Sequence, residues 1–246
     1  MKNNLGEASS NPKFFGRRQG RTVRKAKMFL LDNMLPKMRV SEAKDFDADS
    51  VFFANRDNVC LEIGFGDGQH LYGQAKNNPN NAYIGVEVFK NGVANLLSLI
   101  SGIKEGDNLP EEVDCADYEV QNVRVYEDDV RLLFKCIPDE FFDKVFLLFP
   151  DPWPKKKHAD RRFINPDNLK ELYRVLKVGG LLRVATDHPV YKRHVLRTMH
   201  KFDGFKWTAK CGDDWRKEPL DWVKTKYQMK AIREGRRPVW FDYKKV

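Results

Sequence analysis

Residues 61–70 read LEIGFGDGQH. They continue a mostly apolar run that begins at Val59, and three glycines, Gly64, Gly66 and Gly68, follow at two-residue intervals. A short apolar run that feeds a glycine turn and opens a helical period is a strand, a turn and a helix. Such a turn brings backbone N–H groups close to a nucleotide-like ligand. The dinucleotide fingerprint G-x-G-x-x-G is not matched, because the third glycine comes one residue early. A tight strand-to-helix turn without a ligand accounts for the glycines about as well, so the neighbouring sequence decides.

Outward from this turn, strand and helix signals alternate. NVCLEIGFG is a strand entering the turn and GQHLYGQAK a helix; AYIGVEVF is a strand and GVANLLSLI a helix. NVRVYEDD is a strand followed by a short helical piece, VRLLFKC, and DKVFLLF is the fourth strand. NPDNLKELYRVLK is a helix opened by Asn165 and Pro166, and Gly179–Gly180 stop it before the strand GGLLRVATD. HPVYKRHVLRTMH is a helix, and FKWTAKC and VWFDYKK read as late, antiparallel strands. The alternation predicts an α/β fold with a mostly parallel central sheet and helices on both faces. The chain divides into a basic N-terminal arm, residues 1–40, with 1–12 expected to be disordered and part of 21–40 helical, and a single domain, 41–246. Residues 101–121 are acidic and aperiodic, and are expected to form a surface insertion.

Carboxylates sit where successive strands end. Glu62 lies inside the first strand, Glu87 ends the second, and Asp128 and Asp129 end the third. In open α/β sheets these ends converge on the ligand crevice. A carboxylate after the second strand can accept from both hydroxyls of a ribose, and one after the third from an adenine amino group. A ring of acids repels a pyrophosphate but suits a cation. S-adenosylmethionine has the ribose, the adenine, an ammonium and a sulfonium, and no phosphate, and so fits better than NAD.

The net charge of +9 is segregated. Residues 13–27 carry +7, residues 155–162 carry +4 and residues 224–245 carry +6, so the rest of the chain nets −8. Concentrated positive charge suits a polyanion, because each neutralised phosphate releases condensed counterions. No run of 18 apolar residues spans a membrane, and the N-terminus lacks the apolar core of a secretory signal. The four cysteines form no CxxC pair, which argues against metal or disulfide use and fits a reducing, cytoplasmic compartment. The histidines show no metal-ligand spacing, and His194 and His200 are expected to face solvent.

The fourth strand runs into FPDPWPKKKHADRRF, residues 149–163. Beside the first strand, its carboxyl end faces the same crevice. Pro150 and Pro152 fix the backbone around Asp151. Trp153 can stack on a base, and Lys155, Lys156, Lys157, His158, Arg161 and Arg162 are expected to rim the site and meet phosphates.

These segments, together with FGRRQGR near the N-terminus, NVRVYEDDVRLL, GGLLRVATD and TKYQMKAIREGRRP near the end, make the chain similar to the bacterial single-subunit tRNA (guanine-N7)-methyltransferases, over residues 15–238. FPDPWPKKKH followed by two arginines is the most specific match; LEIGFGDG alone fits many methyltransferases. The resemblance implies a Rossmann-like class I methyltransferase fold. It implies methyl transfer from S-adenosylmethionine, without a metal, to N7 of a guanine in the variable loop of tRNA. By motif match, Glu62, Gly64, Gly66, Glu87, Asp128 and Asp151 line the donor site, and Asp151 is the catalytic residue. Lys155, Asp187, Thr225 and Gln228 contact the substrate, Asp151 and Asp187 accepting from the guanine edge. The family commonly has Thr-x-x-Glu where this chain has Thr225-Lys226-Tyr227-Gln228, so Gln228 keeps an acceptor and loses the charge. The alternatives are methylation of another base or atom of RNA, a nucleic-acid-binding protein that has lost its chemistry, and an NAD oxidoreductase, which the glycine spacing and the acidic crevice disfavour. Monomer and homodimer are both open.

Overall fold

The computed structural model describes residues 13–40 and 50–246, so the expectation for residues 1–12 lies outside the described residues. The helices are α1 (Lys25–Asn33), α2 (Leu35–Met38), α3 (Ser50–Phe53), α4 (Gln69–Asn77), α5 (Lys90–Ser101), α6 (Val130–Leu133), α7 (Pro166–Val175), α8 (Pro189–Met199), α9 (Asp213–Arg216) and α10 (Lys226–Arg233). The strands are β1 (Val59–Ile63), β2 (Ala82–Val86), β3 (Val123–Tyr126), β4 (Phe142–Leu148), β5 (Leu176–Thr186), β6 (Phe205–Trp207) and β7 (Val239–Lys245). They form one sheet in the order β3-β2-β1-β4-β5-β7-β6. The first five are parallel, and β7 runs antiparallel to both β5 and β6.

Covering both faces makes the inner strands apolar throughout: every residue of β1 and β2 is buried. Alternation along β1 sends Val59, Leu61 and Ile63 to one face and Cys60 to the other. α6, α7 and α8 cover the first face through Leu133, Leu169, Leu172, Tyr191 and Val195. α1, α2, α4 and α5 cover the second through Leu30, Leu35, Leu71, Leu96 and Leu97. Each such side chain contributes roughly 1.5–3 kcal/mol on burial. The basic N-terminal stretch is thus extended and mostly exposed over 13–24, and helical and packed on the sheet over 25–38. The acidic segment after α5 has no regular structure beyond one 3-10 turn, Cys115–Asp117, but Val113 and Val120 anchor it in the core.

Two boundaries differ from the sequence reading. α7 ends at Val175 rather than running to Lys177, and β5 begins at once, passing through Gly179 and Gly180. The added strand length pairs Leu176 with Phe142 across a register shift, so the glycines make a bulge instead of a helix stop. FKWTAKC yields only the three residues of β6. Among the described residues, no helix is long and apolar enough to cross a membrane.

Candidate active site

The sheet order reverses between β1 and β4, and their carboxyl ends open a cleft of about 820 Å³. Its floor is the glycine turn. Gly64 adopts φ 70°, which only glycine takes without strain, and nothing lies within 4 Å of where its Cβ would stand, so the backbone is open to a ligand. Opposite, a Cβ on Gly92 would stand 2.2 Å from the Gly66 carbonyl oxygen, so glycine there lets α5 seat tightly on the turn.

Three of the expected carboxylates meet in this cleft: Glu87, Asp128 and Asp151. Glu87 follows β2. Its Oε2 accepts from Gly66 N–H at 2.7 Å and its Oε1 from Phe89 N–H at 2.9 Å, which fixes the group and leaves one lone pair on each oxygen. Burial raises its pKa, and those N–H donors partly offset the rise. Asp128 follows β3; its Oδ1 accepts from Asp129 N–H at 2.7 Å and pairs with the Arg18 guanidinium at 2.9 Å. The neighbouring Asp129 caps α6 and holds Arg131, so its carboxylate is committed to structure. Asp151 is exposed on the turn after β4. That turn is strained, since Phe149 and Trp153 both take positive φ, 51° and 40°. Such conformations cost about 1–3 kcal/mol each in a residue with a side chain, so the surroundings must hold them.

Glu62 is not among the cleft residues. It points to the α4 side of the sheet, 3% exposed, with His70 Nδ1 2.7 Å from its Oε2. Trp153 belongs to neither core cluster; it lies in the cleft wall, edge-on to Phe15 at 6.5 Å and to His158 at 5.8 Å. Arg161 lies over both the Trp153 and Phe15 rings, at 4.9 and 4.7 Å. Lys155, Lys156 and Lys157 are exposed around the start of a 3-10 helix, Lys156–Arg161. Arg162 departs from the expectation: it is 8% exposed and turned inward. His194 likewise does not simply face solvent, being half-buried and hydrogen-bonded to Ile164 O at 2.6 Å.

The remaining substrate candidates are engaged internally. Asp187, after β5, forms an ion pair with Arg236. Thr225 is the N-cap of α10, its hydroxyl accepting from Gln228 N–H at 3.0 Å. Gln228 is fully buried; its Oε1 accepts from Trp222 Nε1 at 2.7 Å and its Nε2 donates to Glu218 at 2.6 Å.

Two contributors to the cleft were read in the sequence as motifs and charge, without these residues being assigned to the site. α10 places Lys226, Tyr227 and Lys230 along one wall, and Tyr227 lies over Gly66, its Cε2 3.2 Å from where a Cβ would be. Their i, i+1, i+4 spacing was the available clue. Residues 13–17 form the opposite lip, tied down by Arg131 Nη2 donating to Lys13 O at 3.1 Å and Lys90 N–H to Arg18 O at 3.1 Å.

With the geometry in hand, a family model described as a putative methyltransferase matches residues 56–240. A protein of Paramagnetospirillum magneticum named tRNA (guanine-N(7)-)-methyltransferase is 40% identical over 245 residues, 98% of this chain and 96% of that one. One of the same name from Rhodospirillum rubrum is 38% identical over 242 residues, 96% of this chain and 89% of that one. Among solved structures, the 16S rRNA methyltransferase KamB superposes with a TM-score of 0.57 at 17% identity, covering 85% of this chain and 97% of its own. The 16S rRNA (adenine(1408)-N(1))-methyltransferase of Catenulisporales acidiphilia gives 0.54 at 15% identity, covering 85% and 96%. These structural likenesses show the fold, that of class I methyltransferases.

Proposed function

Since the chain belongs to the family of tRNA (guanine-N(7)-)-methyltransferases, we propose that it methylates N7 of a guanine in the variable loop of tRNA with S-adenosylmethionine as donor. The observation that carries this reading is the meeting of Glu87, Asp128 and Asp151 in one cleft, floored by an open glycine turn and edged by Arg161, Lys226 and Lys230.

The cleft fits the donor's chemistry. Glu87, pinned by two N–H groups, offers both oxygens to a ribose diol, and Asp128 offers an acceptor to an adenine amino group once Arg18 yields it. Gly64 gives room for the methionine portion to lie on the backbone. S-adenosylmethionine, when bound, supplies a methyl group on a positively charged sulfur. Guanine N7 carries a lone pair at neutral pH, so no side chain has to remove a proton before attack. The task left to the protein is alignment, which can supply several kcal/mol of barrier lowering. Asp151, exposed beside the donor site, accepts from the guanine edge, while Trp153 and Tyr227 wall the base. Asp187 and Gln228 act from behind, through Arg236 and through the Trp222–Glu218 contacts. Lys155, Lys156 and Lys157, with residues 13–24, take the tRNA backbone. A tRNA substrate fits a cytoplasmic location.

The test is to incubate the chain with unmodified tRNA and donor labelled in the methyl group, then locate the label by nucleoside mass spectrometry. The expected product is 7-methylguanosine. Label in another nucleoside supports the alternative of a different RNA atom, and absence of donor binding by calorimetry overturns the enzymatic reading.

A further inference from the structure

Asp151 sits on a turn whose two flanking residues, Phe149 and Trp153, take positive φ. Something must hold that turn, and the residue placed to do it is Arg162. Its side chain is turned away from solvent, 8% exposed, beneath a segment otherwise dense in exposed lysines. Its Nε donates to Pro152 O at 3.1 Å and its Nη2 to Trp153 O at 2.9 Å. The two bonds span consecutive carbonyls, which the flat, rigid edge of a guanidinium holds at a fixed spacing and a rotating ammonium does not. The third arm, Nη1, lies 3.3 Å from His194 Nδ1. His194 Nε2 is 2.6 Å from Ile164 O, and a carbonyl only accepts, so Nε2 carries the proton and Nδ1 is the acceptor for Arg162. Burial, with Arg162 and Arg197 nearby, holds the His194 pKa below its ordinary 6.5 despite the Ile164 bond, which keeps the ring neutral. Asn165 Nδ2 donates to Arg162 O at 3.1 Å and so fixes the other end of the residue.

We propose that Arg162 is a positioning residue: backed by neutral His194 on α8, it clamps the Pro152 and Trp153 carbonyls and thereby sets the Asp151 carboxylate over the cleft. Both Arg161 and Arg162 line the cleft, but Arg162 spends its N–H groups on the turn, whereas Arg161 lies over two aromatic rings; the proposal makes Arg162 a clamp rather than a phosphate contact. The proposal rests on the reading of Asp151 as the group that meets the reacting guanine.

Two measurements on Arg162→Lys test it. The first is steady-state methyl transfer beside equilibrium binding. The clamp requires kcat to fall by about 100-fold, the cost of displacing a reacting geometry by an ångström, with the Kd values for donor and tRNA within about threefold of the wild type. Guanidinium ion added to Arg162→Gly is expected to restore part of kcat, and to restore nothing to Asp151→Ala. A weaker tRNA Kd, with a salt slope reduced by about one and kcat intact, would mean a phosphate contact and overturn the proposal; so would wild-type behaviour throughout. The second is amide hydrogen exchange, which does not depend on the assigned reaction. Peptides from 149–163 are expected to exchange faster while β4 and β5 stay protected, and unchanged exchange there defeats the clamp. Failure of the wild-type chain to methylate tRNA defeats the functional reading alone. Should Arg162→Lys not fold, His194→Leu, which only slackens the clamp, carries both measurements: a smaller fall in kcat and a smaller rise in exchange over 149–163 are expected, and wild-type values in both overturn the proposal.

Discussion

At the scale of the residue, the cleft separates carboxylates by what else they do. Asp151 is exposed, whereas Glu87 and Asp128 already carry N–H bonds to the backbone around them. Asp151→Asn removes charge without removing bulk. It should lower kcat by about 100-fold through lost alignment and leave the donor Kd nearly unchanged; near-normal turnover would end the role given to Asp151. Gln228 poses a different question, because the sequence resemblance led to the expectation of a glutamate there. Its amide nitrogen donates to Glu218 at 2.6 Å inside a fully buried position, and two carboxylates at that distance would repel with no donor between them. Gln228→Glu is therefore expected to destabilise the fold by about 1–3 kcal/mol, and adding Glu218→Gln should recover most of the loss in thermal unfolding. The departure from Thr-x-x-Glu was visible in the sequence. That Glu218 stands ten positions away as the partner was not, because the contact is made by the loop before α10 folding back.

At the scale of the element, legibility followed hydrophobic period and caps. α7 was readable because Asn165 caps it, Pro166 opens it and its apolar residues repeat on one face. α10 was not read as a helix: it is short, it buries only Gln228 and Ala231, and its larger apolar residues Tyr227, Met229 and Ile232 stay about half exposed. Besides the spacing of Lys226, Tyr227 and Lys230, its signal was the pair Thr225 and Gln228 at capping-box spacing. Since so little packing holds α10, its cap should matter. Thr225→Ala is expected to cost about 1 kcal/mol, lowering Tm by roughly 2–4 °C in a chain of this size. It should also weaken donor binding, because Tyr227 lies over Gly66 from the first turn of that helix. A Tm loss without any change in donor Kd would show that α10 does not wall the cleft. The N-terminal stretch was legible as charge and as a partly helical segment. That it would spend Arg18 on Asp128 needed coordinates, since the two are far apart in sequence.

At the scale of the molecule, the uneven charge seen in the sequence gathers around one opening. Lys13 and Arg17 edge the cleft from the N-terminal stretch, Arg161 from the turn after β4, and Lys226 and Lys230 from α10. tRNA affinity should accordingly fall steeply with salt. Replacing Lys155, Lys156 and Lys157 together by alanine should reduce the slope of log K against log salt by about one for each lysine that meets a phosphate, while leaving kcat at saturating tRNA close to normal. An unchanged slope would remove this segment from the tRNA interface. The mostly parallel core, the placement of β4 beside β1 and a cleft at their carboxyl ends were readable from alternation and strand-end acids; the rest of the strand order was not. The direction in which each acid points was not: Glu62 and Glu87 look alike as text, and one pairs with a buried histidine while the other faces the cleft.

The placement of β7 has a consequence for biosynthesis. It lies far along the sequence yet inside the sheet, between β5 and β6. While a ribosome is still making the chain, β5 presents an open row of backbone donors and acceptors, and the short β6 has nothing to pair with. A message cut before the codon for Val239 would thus yield a polypeptide with its parallel core in place and a sticky flank. Such a product should aggregate or be degraded rather than accumulate as a partial enzyme, which pulse-chase labelling of stop-codon variants would reveal.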